Sequence, residues 1–262
     1  LWPPVSHITG KILAAAKSID LPVEKTASVA TLTINYSRPG LRDLIDAISK
    51  DLLPEEMAAT KALIMPPKQS PEIDDISRIT SLNAIRAAIG AEWLGDVLRE
   101  SRLNSAFQPI FPISDFTAPY GHECLLRGVA ADGSEITPGQ LFDAAQSATL
   151  LFQLDRAARA ANVRNAHKVG VTGNLFINFT PSSIYDPDFC LRSTIEVVEE
   201  CQIDRSSIVF EVIETEKVRS TSHLGHILRS YRDSGFRVAL DDVGSGYSTL
   251  NMLPDLRPDI IK

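Results

Sequence analysis

Apolar positions along this chain recur with two different periods, and the changes of period mark its elements. Steps of three and four residues predict helices over 7–19, 41–52, 138–147, 153–167, 189–201 and 222–233. Short apolar or alternating runs predict strands over 28–36, 107–113, 121–127, 175–179, 208–213, 237–241 and 259–262, with one more short helix between the last two. A further helix opens at Pro54, with Glu55 and Glu56 in its first turn, where carboxylates meet the positive end of the helix dipole. From about residue 105 onward strand and helix take turns, which predicts a parallel sheet wrapped by helices.

The first hundred residues read differently. Residues 66–81, PPKQSPEIDDISRITS, combine three prolines with polar and acidic residues, a composition that suits a connection and not an element interior. The expected organisation is therefore a small α+β module over 1–80, a connecting helix over 81–104 and a barrel-type domain over 105–262. Ser81 can cap the connecting helix, whose apolar stripe is Leu82, Ile85, Ile89, Trp93 and Val97. That stripe packs on a neighbouring domain or serves as a signalling or dimer helix. His7 stands alone and reads as a surface or structural residue.

Composition narrows the function. The chain has 262 residues, 44% hydrophobic and 23% charged, which suffices for a core without disulfides. A net charge of −7 with no basic run argues against DNA or RNA polymers as partners. Cys124, Cys190 and Cys201 are odd in number and lack CxxC spacing, which fits a reducing cytoplasm and argues against a disulfide framework or a zinc site. The apolar run 12–16 is far too short to span a membrane.

Against this background five polar residues stand out. Glu123, Asn178, Glu211, Asp241 and Asp242 lie in or at the end of apolar strands, where a lone carboxylate is costly to desolvate. Any one of them could pair with an arginine, but the group together asks for a hard cation bound by oxygen, Mg²⁺, Mn²⁺ or Ca²⁺. Asn178 to Glu211 is 33 residues and Glu211 to Asp241 is 30, close to the roughly 31 per unit of an eight-fold strand–helix barrel, whose chemistry sits at the C-terminal strand ends. Strand alternation puts Glu123, Leu125 and Arg127 on one face, a carboxylate for metal and a guanidinium for phosphate. It also gives Glu211 the metal and leaves Glu214 to anchor a loop, while Asp241 and Asp242 could serve two metals.

FQPI at 107–110, ECLLR at 123–127, NLFINFTP at 174–181, FEVIE at 210–214, DDVGSGYSTL at 241–250 and DIIK at 259–262 resemble, in order and spacing, the EAL domain of bacterial cyclic di-GMP phosphodiesterases. The resemblance implies a TIM-like (β/α)8 barrel whose first strand is antiparallel, truncated here at about the sixth strand. It implies metal-dependent hydrolysis of cyclic di-GMP to linear pGpG with two Mg²⁺ or Mn²⁺ ions, Ca²⁺ being inhibitory. By motif position Glu123, Asn178, Glu211, Asp241 and Asp242 would hold metal, and Glu123, Asp241 and Lys262 would be catalytic, Lys262 contacting the attacking water or the phosphate. Gln108, Leu125 and Arg127 would line the substrate pocket, and the domain would form a homodimer. The alternative is a catalytically silent cyclic di-GMP receptor, or a signalling or interaction module. Further strands carrying the family's later ligands are expected beyond Lys262, and a start at Leu1 instead of Met reads as that of a fragment.

Overall fold

The computed structural model describes residues 1–26, 31–34, 38–66, 69, 72–213, 221–241 and 256–262. These form two compact units, Leu1–Glu92 and Trp93–Lys262. Among the described residues no helix is long and apolar enough to cross a membrane.

In the first unit, α1 (Ser6–Ser18) leads into the antiparallel pair β1 (Val23–Thr26) and β2 (Thr31–Ile34). Next come α2 (Arg38–Asp51), α3 (Pro54–Ala59), the short antiparallel pair β3 (Lys61–Ala62) and β4 (Thr80–Ser81), and α4 (Leu82–Gly90). Ile8, Ile12 and Ala16 of α1 meet Leu44, Ile45 and Ile48 of α2, one apolar stripe against another. Glu56 joins α3 to α1 through Lys11 Nζ at 2.8 Å and His7 Nε2 at 2.7 Å, and accepts the Leu53 N–H at 2.9 Å. These contacts, the Lys11 hydrogen bond foremost, hold its carboxyl at about 2.

The predicted connecting helix is two helices. Ser81 caps α4 as expected, accepting the Ala84 N–H at 3.2 Å, but α4 stops at Gly90, and α5 (Glu92–Arg99) starts afresh. Glycine costs a helix about 1 kcal/mol relative to alanine, which weakens the chain at that point. The apolar stripe divides with it: Leu82 and Ile85 are buried in the core of the first unit, Leu94 and Val97 in a core with Leu126, Leu141 and Leu154.

After α5 the second unit runs β5 (Leu103–Ile110), β6 (Gly121–Val129), β7 (Glu135–Ile136), α6 (Pro138–Ala148), α7 (Leu151–Val169), β8 (Asn174–Asn178) and α8 (Pro187–Glu200). It continues through β9 (Ile208–Ile213), α9 (Thr221–Asp233), β10 (Arg237–Asp241) and β11 (Ile260–Ile261). The strands make one seven-stranded sheet in the order β11-β10-β9-β8-β6-β5, with β7 added to β6. β5 is antiparallel to β6, and β6, β8, β9, β10 and β11 are mutually parallel. This is an α/β, TIM-like arrangement with the expected antiparallel first strand. The β7 pairing was not legible in the sequence, since two residues carry no period.

Local signals set the helix boundaries. Thr137 and Gln140 form a reciprocal capping box around Pro138 at the start of α6, and Asp186 accepts the Asp188 and Phe189 N–H groups at 3.1 Å to start α8. The period of two sorts the strand residues between faces. Cys124, Ile177, Phe210, Val212, Val238 and Leu240 belong to the large core shared with α8 and α9, including Leu191, Val198, Leu228 and Tyr231. The alternate residues Phe176, Val209 and Ala239 form a smaller cluster on the opposite face, with Ile110 and Ile260 against it.

That inner face is closed tightly near the start of the parallel strands. A Cβ on Gly121 would lie 2.4 Å from Asn174 O and 2.8 Å from the Phe176 ring. Gly121→Ala is therefore expected to cost about 2 kcal/mol in a urea unfolding titration, an overpacking penalty inside a filled site. A loss below about 0.5 kcal/mol would show that β8 yields to the methyl group.

Candidate metal centre

Glu123, Asn178, Glu211 and Asp241 share the inner face by the same alternation that sends their neighbours Cys124, Ile177, Phe210 and Leu240 to the helix side. Asn178 is the last residue of β8 and lies level with Glu211 in register; Asp241 ends β10 opposite Ile213. Glu123 departs from the expected strand-end position, being the third of nine residues in β6. The reason is that β6 pairs with β8 only over Gly121–Cys124 and continues beyond it as a hairpin arm bonded to β5 and β7. Glu123 thus sits near the upper limit of the parallel pairing, not at the end of its strand.

Carboxylate oxygens of Glu123, Glu211 and Asp241 come within 4.8 Å of one another. Lys262, the residue after β11, reaches into the group: its Nζ is 2.6 Å from Glu123 Oε2, 3.0 Å from Glu211 Oε1 and 3.6 Å from Asp241 Oδ2. The Asn178 amide donates to Glu123 Oε1 at 3.0 Å. Five widely separated sequence positions therefore meet at one place.

The electrostatics are unbalanced. Glu211 is fully buried, and the Lys262 ammonium that donates to its Oε1 at 3.0 Å is shared with Glu123, while its Oε2 lacks a hydrogen-bond partner among the described residues. Burial pushes its carboxyl up to about 7, the Lys262 charge opposing this and the Glu123 and Asp241 charges adding to it. Burial alone would depress the Lys262 ammonium, but its hydrogen bond to Glu123 and the charge of Glu211 outweigh that, and its pKa rises. The Cys124 thiol, facing the other way, is raised to about 12 by burial and then by Glu211 and Glu123, and is no nucleophile.

Orphaned oxygens test whether a metal fits. Glu211 Oε2 and Asn178 Oδ1 are buried and lack hydrogen-bond partners among the described residues. Both are hard oxygen donors, and the Lys262 ammonium lies beside Glu123, Glu211 and Asp241 together. That donor set suits Mg²⁺, Mn²⁺ or Ca²⁺, and a divalent ion would satisfy atoms that are otherwise costly to bury.

The remaining expected site residues are distributed around this group. Gln108 is exposed on β5 directly opposite Glu123 in the antiparallel register, and Leu125 is half-buried two residues along β6. Arg127 is not in the cluster: its Nε is 3.3 Å from Glu135 Oε1, and its Nη1 donates to Leu126 O at 2.8 Å. The hairpin arm carries it toward β7, a strand the sequence did not reveal. Asp242, Glu214 and the loop 243–248 lie outside the described residues.

Sequence reasoning missed a buried polar group behind β8. Asp155 and Arg159, 2% and 0% exposed, pair at 3.1 Å between Arg159 Nη2 and Asp155 Oδ2. Their signal was available as a Glu/Asp-to-Arg step of four on a helix, but such pairs usually face solvent.

Residues 91–262 match the family model described as EAL domain. The probable cyclic di-GMP phosphodiesterase PdeG of Escherichia coli is 30% identical over 189 residues, which is 68% of this chain and 35% of that protein. A standalone EAL protein from Vibrio cholerae, solved with cyclic di-GMP bound, is 33% identical with a TM-score of 0.52, covering 61% of this chain and 65% of that one. The FimX EAL domain from Pseudomonas aeruginosa, also bound to cyclic di-GMP, superimposes with a TM-score of 0.57 at 20% identity, over 66% and 69% of the two chains. The chain spans only part of the length of the curated relatives it matches, 35% of PdeG and 52% of a Mycobacterium bovis protein among them. With the family model covering the whole second unit and the carboxylate cluster in place on its inner face, the chain belongs to the EAL domain family.

Proposed function

We propose that the second unit hydrolyses cyclic di-GMP to linear pGpG with the help of Mg²⁺ or Mn²⁺. The observation that carries this reading is the convergence of Glu123, Glu211 and Asp241 within 4.8 Å, with the Glu211 carboxylate fully buried. The name of the E. coli relative and the ligand of the V. cholerae structure support the substrate. Glu123, Asn178, Glu211 and Asp241 would hold the metal, with Asp242 for a second ion. Bound divalent ions supply positive charge for the phosphodiester and lower the pKa of a water to near neutral.

The chain's own groups supply orientation. Lys262 bridges Glu123 and Glu211 and presents ammonium protons where a phosphate oxygen or the attacking water would sit. The Asn178 amide fixes the rotation of the Glu123 carboxylate. Gln108 and Leu125 line the same face beside Glu123, and Arg127 would reach a phosphate on leaving Glu135. Action in the cytoplasm, as a homodimer formed through this unit and inhibited by Ca²⁺, belongs to the same reading.

The full chain incubated with cyclic di-GMP and Mn²⁺ is expected to yield pGpG by chromatography, and Glu123→Ala to reduce the rate by about a hundredfold or more, as loss of a metal-positioning group does. Absence of product from metal-loaded wild type sinks the enzyme reading; tight binding without turnover identifies a receptor.

A further inference from the structure

The buried pair Asp155–Arg159 lies behind the metal-side strand ends and touches the chain just past Asn178. Asp155 Oδ1 accepts the Thr180 N–H at 2.8 Å, and the Phe179 N–H donates to Glu211 O at 3.3 Å. The two residues that follow Asn178 are thus each fixed by a backbone hydrogen bond, one to the Glu211 strand and one to α7. Arg159 Nη1 is 3.3 Å from Tyr231 Oη, and its Nη2 is 3.4 Å from Cys190 O. The Tyr231 ring lies 5.1 Å from the Phe179 ring and 4.6 Å from that of Phe210, the immediate neighbours of Asn178 and Glu211. Ser183 closes the turn by donating from Oγ to Thr180 O at 2.8 Å.

Packing alone does not call for this arrangement. Replacing a buried ion pair by apolar residues of similar size is often neutral or stabilising, so its presence here invites a second role. From these contacts we propose that Asp155 is a positioning residue for the metal centre: by holding the Thr180 N–H it sets the exit of β8, and through it the side-chain direction of Asn178 beside Glu123. Arg159 keeps the Asp155 carboxylate in place and ties the assembly to Tyr231. The proposal rests on the metal reading above and adds to it a residue that touches neither metal nor substrate.

The test measures Mn²⁺ affinity of the full chain by counting free Mn²⁺ with electron paramagnetic resonance, well below each variant's melting temperature. Asp155→Leu combined with Arg159→Met removes the acceptor without leaving a buried charge, and is expected to weaken Mn²⁺ binding about tenfold or more, the usual effect of losing an outer support. Asp155→Asn combined with Arg159→Met keeps an oxygen for the Thr180 N–H and is expected to stay within about threefold of wild type by the same reasoning. Leu154→Ala, one residue away but facing a different cluster, is expected to lower the melting temperature and leave Mn²⁺ affinity unchanged. If the leucine variant does not fold, Asp155→Ala with Arg159→Met takes its place. Wild-type affinity in the variant lacking the acceptor, or equal weakening in both double variants, overturns the positioning role. No Mn²⁺ binding by wild type overturns the metal reading itself and the proposal with it.

Discussion

Glu211→Gln is expected to make the metal-free protein more stable than wild type at pH 8, and to remove its affinity for Mn²⁺. Glu211 is fully buried, and its carboxyl is raised from 4.5 to about 7, chiefly by desolvation. A carboxyl raised on folding binds its proton more tightly in the folded than in the unfolded state. Its contribution is therefore fully present below about 4.5 and is lost as pH rises through about 7. That interval corresponds to about 3 kcal/mol lost by pH 8 in the absence of metal. Glutamine cannot ionise, so the variant lacks this part of the slope. Thermal or urea unfolding in a chelator, run from pH 4 to 8, should show the wild-type curve falling below that of the variant. Saturating Mn²⁺ should reverse the order, because only wild type gains binding energy in the folded state. If the two metal-free profiles stay parallel across this range, Glu211 does not carry the unbalanced charge.

Arg159→Ala is expected to destabilise the second unit by about 3–5 kcal/mol and to lower its melting temperature by about 10 °C. Burial by itself would depress the guanidinium, but Asp155 beside it more than offsets this and keeps it charged. Truncation strands the 2%-exposed Asp155 carboxylate without its counter-ion and leaves Tyr231 Oη and Cys190 O without their Arg159 contacts. The double change Asp155→Leu with Arg159→Met should recover most of the loss, since no charge remains to be solvated. A single-variant loss below about 1 kcal/mol would mean that water enters the pocket and the pair is not dry.

Much of the second unit could be read from its periods. Helices and strands fall within a few residues of expectation: β9 and β10 coincide with the predicted 208–213 and 237–241, and α9 opens one residue earlier than predicted. The alternation also sent Glu123 and Glu211 inward, and the two meet there with Asp241. Three things escaped it. Gly90 ends a helix that the apolar stripe continued, because the stripe serves two separate cores. Arg127 has the right face for the site, yet the β6–β7 pairing gives it Glu135 as partner. Asp155 and Arg159 look like an ordinary surface pair until α7 is packed against β8 and α9.

Periodicity is a relation between near neighbours in the chain, so the order of residues was enough for the kinds of elements, the faces of their side chains and the set of oxygen donors. Which donors meet was settled by the packing of distant segments. Lys262 and Glu123 are 139 residues apart and end 2.6 Å from each other. It also decided that Glu211 is fully buried beside a shared ammonium, that Arg127 is turned toward β7, and that an ion pair is sealed behind Asn178. Desolvation and ion pairing depend on what other segments bring to a point in space, and no local pattern encodes that.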